Sequence, residues 1–174
     1  DSFLFSKVNE VGYDWIFDIF EDREGNLWFA SMGSGVWKHN PQANSFEKYI
    51  NKEGEPNSLS SNSVSSVMQD SKGRIWLSTD RGGICRYNAE TNDFTSFSIK
   101  EGLPDDVAYE ILEDDAHNLW FGTNKGLVKF NPETKDIHVF TTKDGLLGNQ
   151  FNYKSALKVG DGRFFFGGVN GLIA

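Results

Sequence analysis

One nine-residue stretch, Glu21-Asp22-Arg23-Glu24-Gly25-Asn26-Leu27-Trp28-Phe29, constrains this chain more than any other because it is written more than once. It returns as Gln69-Asp70-Ser71-Lys72-Gly73-Arg74-Ile75-Trp76-Leu77 and as Glu113-Asp114-Asp115-Ala116-His117-Asn118-Leu119-Trp120-Phe121, and in eroded form as Gly162-Arg163-Phe164-Phe165-Phe166. The tryptophans stand 48 and 44 residues apart, and Phe165 takes the same place 45 residues further on. A fixed period of this size marks a repeat architecture, in which each copy is one supersecondary unit.

Each copy reads as a β-hairpin. The apolar runs before it (Ile16, Phe17, Ile19, Phe20; Val64, Val67, Met68; Ala108, Tyr109, Ile111, Leu112) have strand length and strand composition. The aspartate can accept from backbone amides in the turn, and glycine or asparagine tolerates the positive φ of a tight reversal. A third strand opens on glycine in Gly35-Val36-Trp37-Lys38, Gly83-Ile84-Cys85-Arg86, Gly126-Leu127-Val128-Lys129 and Gly171-Leu172-Ile173. Short segments at Phe46 to Tyr49, Phe94 to Phe97 and Ile137 to Phe140 supply a fourth. The expected unit is therefore four short antiparallel strands.

Such a unit cannot bury both faces alone, so copies must pack side by side, and the closed solution is an all-β propeller. The expected blades are 15–50, 63–99, 107–141 and an incomplete 152–174, with 1–14 holding the last strand of another, at Ser2-Phe3-Leu4-Phe5. Asn51 to Asn62 reads as a polar surface connector. Two closures are open: a segment of about four blades from a larger ring, which the mid-strand Gly-Leu-Ile-Ala ending favours, or a four-bladed ring completed by strands from both chain ends.

Composition narrows the partners. A net charge of −8 over 174 residues speaks against nucleic acid and anionic membranes, which need clustered Lys and Arg. No apolar run reaches the length of a membrane helix, and no export signal precedes the first repeat. The single cysteine, Cys85, excludes an internal disulfide and reads as buried filler.

The pattern Val-x-x-Ile-x-x-Asp-x-x-Gly-Asn-Leu-Trp-Phe-Gly-Thr-x-x-Gly-Gly-Leu-x-x-Tyr-Asn, with Gly-Leu-Pro before it, resembles the two-component regulator propeller repeat. Ala108 through Pro132 matches closely, and Val64 through Asn88 nearly as well. Repeat one departs at Ala30-Ser31 and at Trp37-Lys38-His39. The resemblance implies an extracytoplasmic, periplasmic sensor propeller of a hybrid two-component histidine kinase from gut Bacteroidetes, signalling as a homodimer after binding a glycan-derived oligosaccharide. It implies no cofactor and no catalysis within these residues.

Several residues compete for a functional role. Asp22, Asp70 and Asp114 sit in turns faintly like calcium loops, but Lys72 and Arg74 stand where repeat two would need oxygen ligands, so turn capping is the reading adopted. Trp28, Trp76 and Trp120 recur at one strand position and read as blade-to-blade core. Irregular aromatics near the innermost strands, Trp15, Tyr13, Tyr109 and Tyr153, suit sugar stacking instead. The loops between second and third strands add Arg81, Asn124, Lys125 and Asn170 as donors to sugar hydroxyl or carboxylate groups. The ligand set expected is Trp15, Arg81, Tyr109, Asn124, Lys125, Tyr153 and Asn170, with no metal. A streptogramin-lyase-like enzyme is the nearest catalytic alternative, yet it needs a histidine on a channel-facing loop, and His39, His117 and His138 fall elsewhere. A purely structural or protein-interaction propeller is the third reading.

Overall fold

The computed structural model describes residues 7–12 and 14–174; Tyr13 and the expected strand at Ser2 to Phe5 lie outside the described residues. Four antiparallel sheets are arranged as the blades of a β-propeller, each a meander in chain order. Blade 1 holds β1 (Ile16–Glu21), β2 (Leu27–Ser31), β3 (Val36–Asn40) and β4 (Ser45–Tyr49). Blade 2 holds β5 (Val64–Gln69), β6 (Ile75–Thr79), β7 (Ile84–Asn88) and β8 (Asp93–Phe97). Blade 3 holds β9 (Ile111–Glu113), β10 (Leu119–Gly122), β11 (Leu127–Phe130) and β12 (Ile137–Phe140). Among the described residues blade 4 has three strands, β13 (Phe151–Lys158), β14 (Phe164–Gly168) and β15 (Gly171–Ile173). No helix among the described residues is long and apolar enough to cross a membrane.

The repeated aspartate does more than cap a turn. One carboxylate oxygen of Asp22, Asp70 and Asp114 accepts the backbone amide four residues on, at 2.8, 2.9 and 2.8 Å. The other accepts the indole Nε1–H of Trp28, Trp76 or Trp120, each at 2.8 Å. With both oxygens facing N–H donors, the group is built to satisfy the indole as well as the turn. Blade 4 loses the two partners together: Val159, whose amide donates to Arg163 O at 2.9 Å as Asp70 does to Arg74 O, stands where the aspartate would, and Phe165 has no N–H to offer.

Burial raises the pKa of Asp22 and Asp114, but the tryptophan and asparagine donors outweigh it and hold both carboxyls below the ordinary 3.8. A carboxylate with a lowered folded-state pKa contributes stability that is complete above its unfolded value and disappears as pH falls through the folded one. The melting temperature is therefore expected to hold steady from pH 7 to about 5 and to fall steeply below about 4. Asp22→Asn with Asp114→Asn should flatten that fall in a series of thermal melts; an unchanged acid limb would show that these two groups do not cause it.

Three apolar layers lie between successive blades. Trp28, Ala30 and Val36 of blade 1 meet Val67, Ile75, Leu77, Cys85 and Phe94 of blade 2. Trp76 and Ile84 meet Leu119, Phe121, Val128 and Phe130 of blade 3. Tyr109, Leu127 and partly buried Trp120 meet Phe151 and Phe166 of blade 4. Leu59, expected in a polar surface connector, is instead fully buried in the first layer. Its Ser-Leu-Ser-Ser-Asn setting occupies the place of Gly-Leu-Pro-Asp-Asp around Leu103, which is buried in the second. The links after blades 2 and 3 also contain short 3-10 turns, Ile99–Glu101 and Thr142–Asp144, each closed by a capping box from Ser98 or Thr141.

The four blades are arranged as a propeller around one axis. Blades 1 and 4 meet at the axis through Phe17 and Tyr153, whose rings are 5.5 Å apart, and through the Lys154–Asp18 ion pair at 2.6 Å. Asp18 also accepts Val67 N of blade 2 at 2.9 Å, and Glu110 of blade 3 similarly accepts Ala156 N of blade 4 at 3.3 Å. The faces of the two end blades keep Ile19, Leu157 and Leu172 exposed.

Candidate functional site

The loops between second and third strands are closed by a repeated hydroxyl: Ser31, Thr79 and Thr123 each donate 2.8 Å bonds to the carbonyl of Gly35, Gly83 or Gly126. Those glycines are at positive φ, and at Gly83 a Cβ would run into the Phe97 carbonyl oxygen, so no other residue fits without displacement. Each loop is then stitched to the entrance of the next blade. Thr79 O accepts from Ala108 N at 2.9 Å and Thr123 O from Phe151 N at 3.1 Å, while Gly35 N and Gly83 N donate to Asn62 O and Asp106 O, each at 2.7 Å. This stitching gathers loops and inner-strand entrances from all four blades at one end of the axis.

Aromatic rings line that end in a continuous series. Trp15 lies 6.4 Å from Phe17, Phe17 lies 5.5 Å from Tyr153, and Tyr153 lies 4.8 Å from Tyr109, all edge to face. Trp15 is 70% exposed, so its ring is open to solvent. Tyr109 is only 6% exposed and donates its hydroxyl to Asn124 Oδ1 at 2.7 Å, which makes it a support for Tyr153 more than a contact surface. The short start of β9 explains this placement: Ala108 and Tyr109, expected within a strand, instead precede it, with Tyr109 N bonded to Gly122 O at 3.0 Å. Tyr153 owes its position to blade 4, where β13 runs five residues from Phe151 to Ala156 against Gly168 and Phe166, a register break longer than the bulge in β1 or β5.

Charges surround these rings. Lys125 pairs with Asp105 at 3.4 Å, and Lys154 pairs with Asp18 at 2.6 Å. Burial and then the neighbouring Tyr153, Asp105 and Asp80 push the Tyr109 phenol up to about 12. Burial and Asp80 raise that of Tyr153, while Arg81 opposes the rise. Arg81 is exposed and has a φ of +71°, at the place of Gly33 (φ +102°) in blade 1.

The expected ligand residues therefore divide. Trp15, Tyr153, Tyr109, Asn124 and Lys125 come together with Arg81 at the mouth. Asn170 does not join them through any contact of its own; its amide donates to Leu147 O at 3.3 Å, within blade 4's own link. Phe17, Asp18, Asp80, Asp105 and Lys154 belong to the cluster but escaped sequence reasoning. Asp80, beside Arg81 in the loop between β6 and β7, carried the clearest signal; Lys154 carried none, since its role depends on an irregular strand reaching another blade.

Comparison with known proteins agrees with this architecture. The family model described as the two-component regulator propeller matches residues 11–33, 58–81 and 102–125. The second match begins at Ser58, just before the buried Leu59. Among solved structures, the extracellular domain of a putative hybrid two-component system from B. thetaiotaomicron is 29% identical, with a TM-score of 0.80 over 91% of this chain and 21% of that one. Virginiamycin B lyase from Staphylococcus aureus shares the fold at 14% identity, with a TM-score of 0.69 over 89% of this chain and 49% of that one. A histidine kinase of Formosa agariphila is 30% identical over 67 residues, which is 38% of this chain and 5% of the kinase. The chain thus spans about a fifth of the first structure and a twentieth of the kinase. Three of the four blades, each pinned by one Asp–Trp bond, thus carry the two-component regulator propeller repeat.

Proposed function

We propose that this propeller is the ligand-receiving part of a hybrid two-component histidine kinase, exposed outside the cytoplasm in the periplasm, and that it binds a glycan-derived oligosaccharide at the loop-bearing mouth. The observation that carries this reading is the ring series ending in exposed Trp15, surrounded by amide, guanidinium and carboxylate groups. A pyranose presents an apolar C–H face and a rim of hydroxyls, and that arrangement offers a partner to each. The solved neighbours described as extracellular domains support the location. Signalling follows if bound sugar favours one arrangement of a receptor homodimer over another, since a ligand shifts an equilibrium only by its differential affinity.

The propeller itself is read as non-catalytic. The fold shared with virginiamycin B lyase gives the enzymatic alternative its one support, but His39 lies on β3, His117 in the first hairpin turn of blade 3 and His138 on β12, away from the mouth. The two readings separate by mass balance: a sensor returns its oligosaccharide unchanged, and a lyase consumes its substrate. Calorimetric titration of the chain with an oligosaccharide panel is expected to show binding that weakens at least about ten-fold in Trp15→Ala and again in Tyr153→Ala. Affinity indifferent to both changes would remove the site from the mouth.

A further inference from the structure

We infer that the mouth selects sugars without net charge and discriminates against uronate-bearing or sulfated ones; this rests on the sugar-binding reading above. The balance of charge at the rim is the reason. Arg81, Lys125 and Lys154 stand with the carboxylates Asp80, Asp105 and Asp18, and Asp106 lines the same groove as Arg81, so no cation there lacks a nearby carboxylate. Two of the cations are already engaged, Lys125 with Asp105 at 3.4 Å and Lys154 with Asp18 at 2.6 Å. An arriving carboxylate or sulfate would have to break one of those pairs or settle on Arg81 directly beside Asp80. The tyrosines sense the same field, since Asp80 and Asp105 both act to keep the Tyr109 phenol protonated and only Arg81 opposes Asp80 at Tyr153.

A neutral ring meets none of these obstacles. Its hydroxyls can donate to Asp80 and accept from Arg81. Asn124 is already polarised toward this use: its Oδ1 accepts the Tyr109 hydroxyl at 2.7 Å, which leaves the amide N–H groups to offer. The C–H face of the ring has Trp15 to rest on, with Tyr153 behind Phe17. The backbone at Arg81 fits a selected role as well. An arginine in the left-handed region, where blade 1 uses Gly33, is strained relative to glycine, and such strain persists where the side chain is needed.

The test is calorimetric titration of the 174-residue chain with matched tetrasaccharides. Neutral gluco-, galacto- and manno-oligosaccharides are set against the uronate and sulfated counterparts of the same linkage, at low and at high salt. The expected result is a preference of at least about ten-fold for a neutral member over its charged counterpart, with little change between the salt conditions. Asp80→Lys is expected to reverse that order by creating an unbalanced cation. Tighter binding of the uronate or sulfated member, weakening with salt, would overturn the charge inference and leave the sugar site standing. Absence of binding by every member would instead overturn the sugar-binding reading, and this inference with it.

Discussion

Asp70→Ala is expected to cost about 3–5 kcal/mol, enough to consume much of the stability of a domain this size. The carboxylate is fully buried and supports four donors: Lys72 N at 3.0 Å and Arg74 N at 2.9 Å on one oxygen, Arg74 Nε at 2.6 Å and the Trp76 indole at 2.8 Å on the other. Removing it leaves the Arg74 guanidinium with only Glu133, at 2.7 Å, as a carboxylate partner and leaves a buried indole N–H without an acceptor. Asp70→Asn keeps the shape, but its NH₂ must face donors where an oxygen now accepts, so a loss of about 1–3 kcal/mol is expected. Urea unfolding followed by tryptophan fluorescence measures both. A loss below about 1 kcal/mol for the alanine variant would show that the four bonds contribute little net stability.

Trp76→Ala is expected to cost a similar 3–5 kcal/mol, for a different reason. The side chain is fully buried between blades 2 and 3, with ring centroids 5.9 Å from both Phe97 and Phe130. Its loss leaves a cavity between two rigid sheets, which cannot close over the gap as a lone loop could. The two substitutions share the indole–carboxylate bond, so the double variant Asp70→Ala, Trp76→Ala is expected to lose less than the sum of the singles. Strict additivity in denaturant titrations would mean that the bond between them does not couple them.

The features legible in sequence are local ones. The Asp-to-Gly turn and the glycine before the third strand each set their own φ, and the recurrence of Trp28, Trp76 and Trp120 at one strand position marked them as core. What escaped is non-local or disguised. The indole–aspartate bond closes six residues across a hairpin and is not implied by capping, although the joint loss of both partners at Val159 and Phe165 was visible. Leu59 hides among serines and asparagines, because composition alone cannot show that the connector folds back over a blade seam. The mouth was half legible: Arg81, Asn124 and Lys125 follow from their loops, whereas Lys154 and Asp18 meet only because β13 is irregular and brings blade 4 up to blade 1 at the axis. The Asn170 tie to Leu147 O could not be separated by sequence from a ligand donor.

The meeting of Lys154 with Asp18 bears on how the molecule reaches its native form. Most tertiary contacts join a blade to its chain neighbour, so the first three blades can assemble progressively, each on the last. The ion pair instead joins positions 136 residues apart, and closing so long a loop is entropically disfavoured until the intervening blades are in place. Its formation is therefore expected late in assembly, and Lys154→Met should hasten unfolding while leaving the refolding rate nearly untouched, as stopped-flow denaturant jumps would measure.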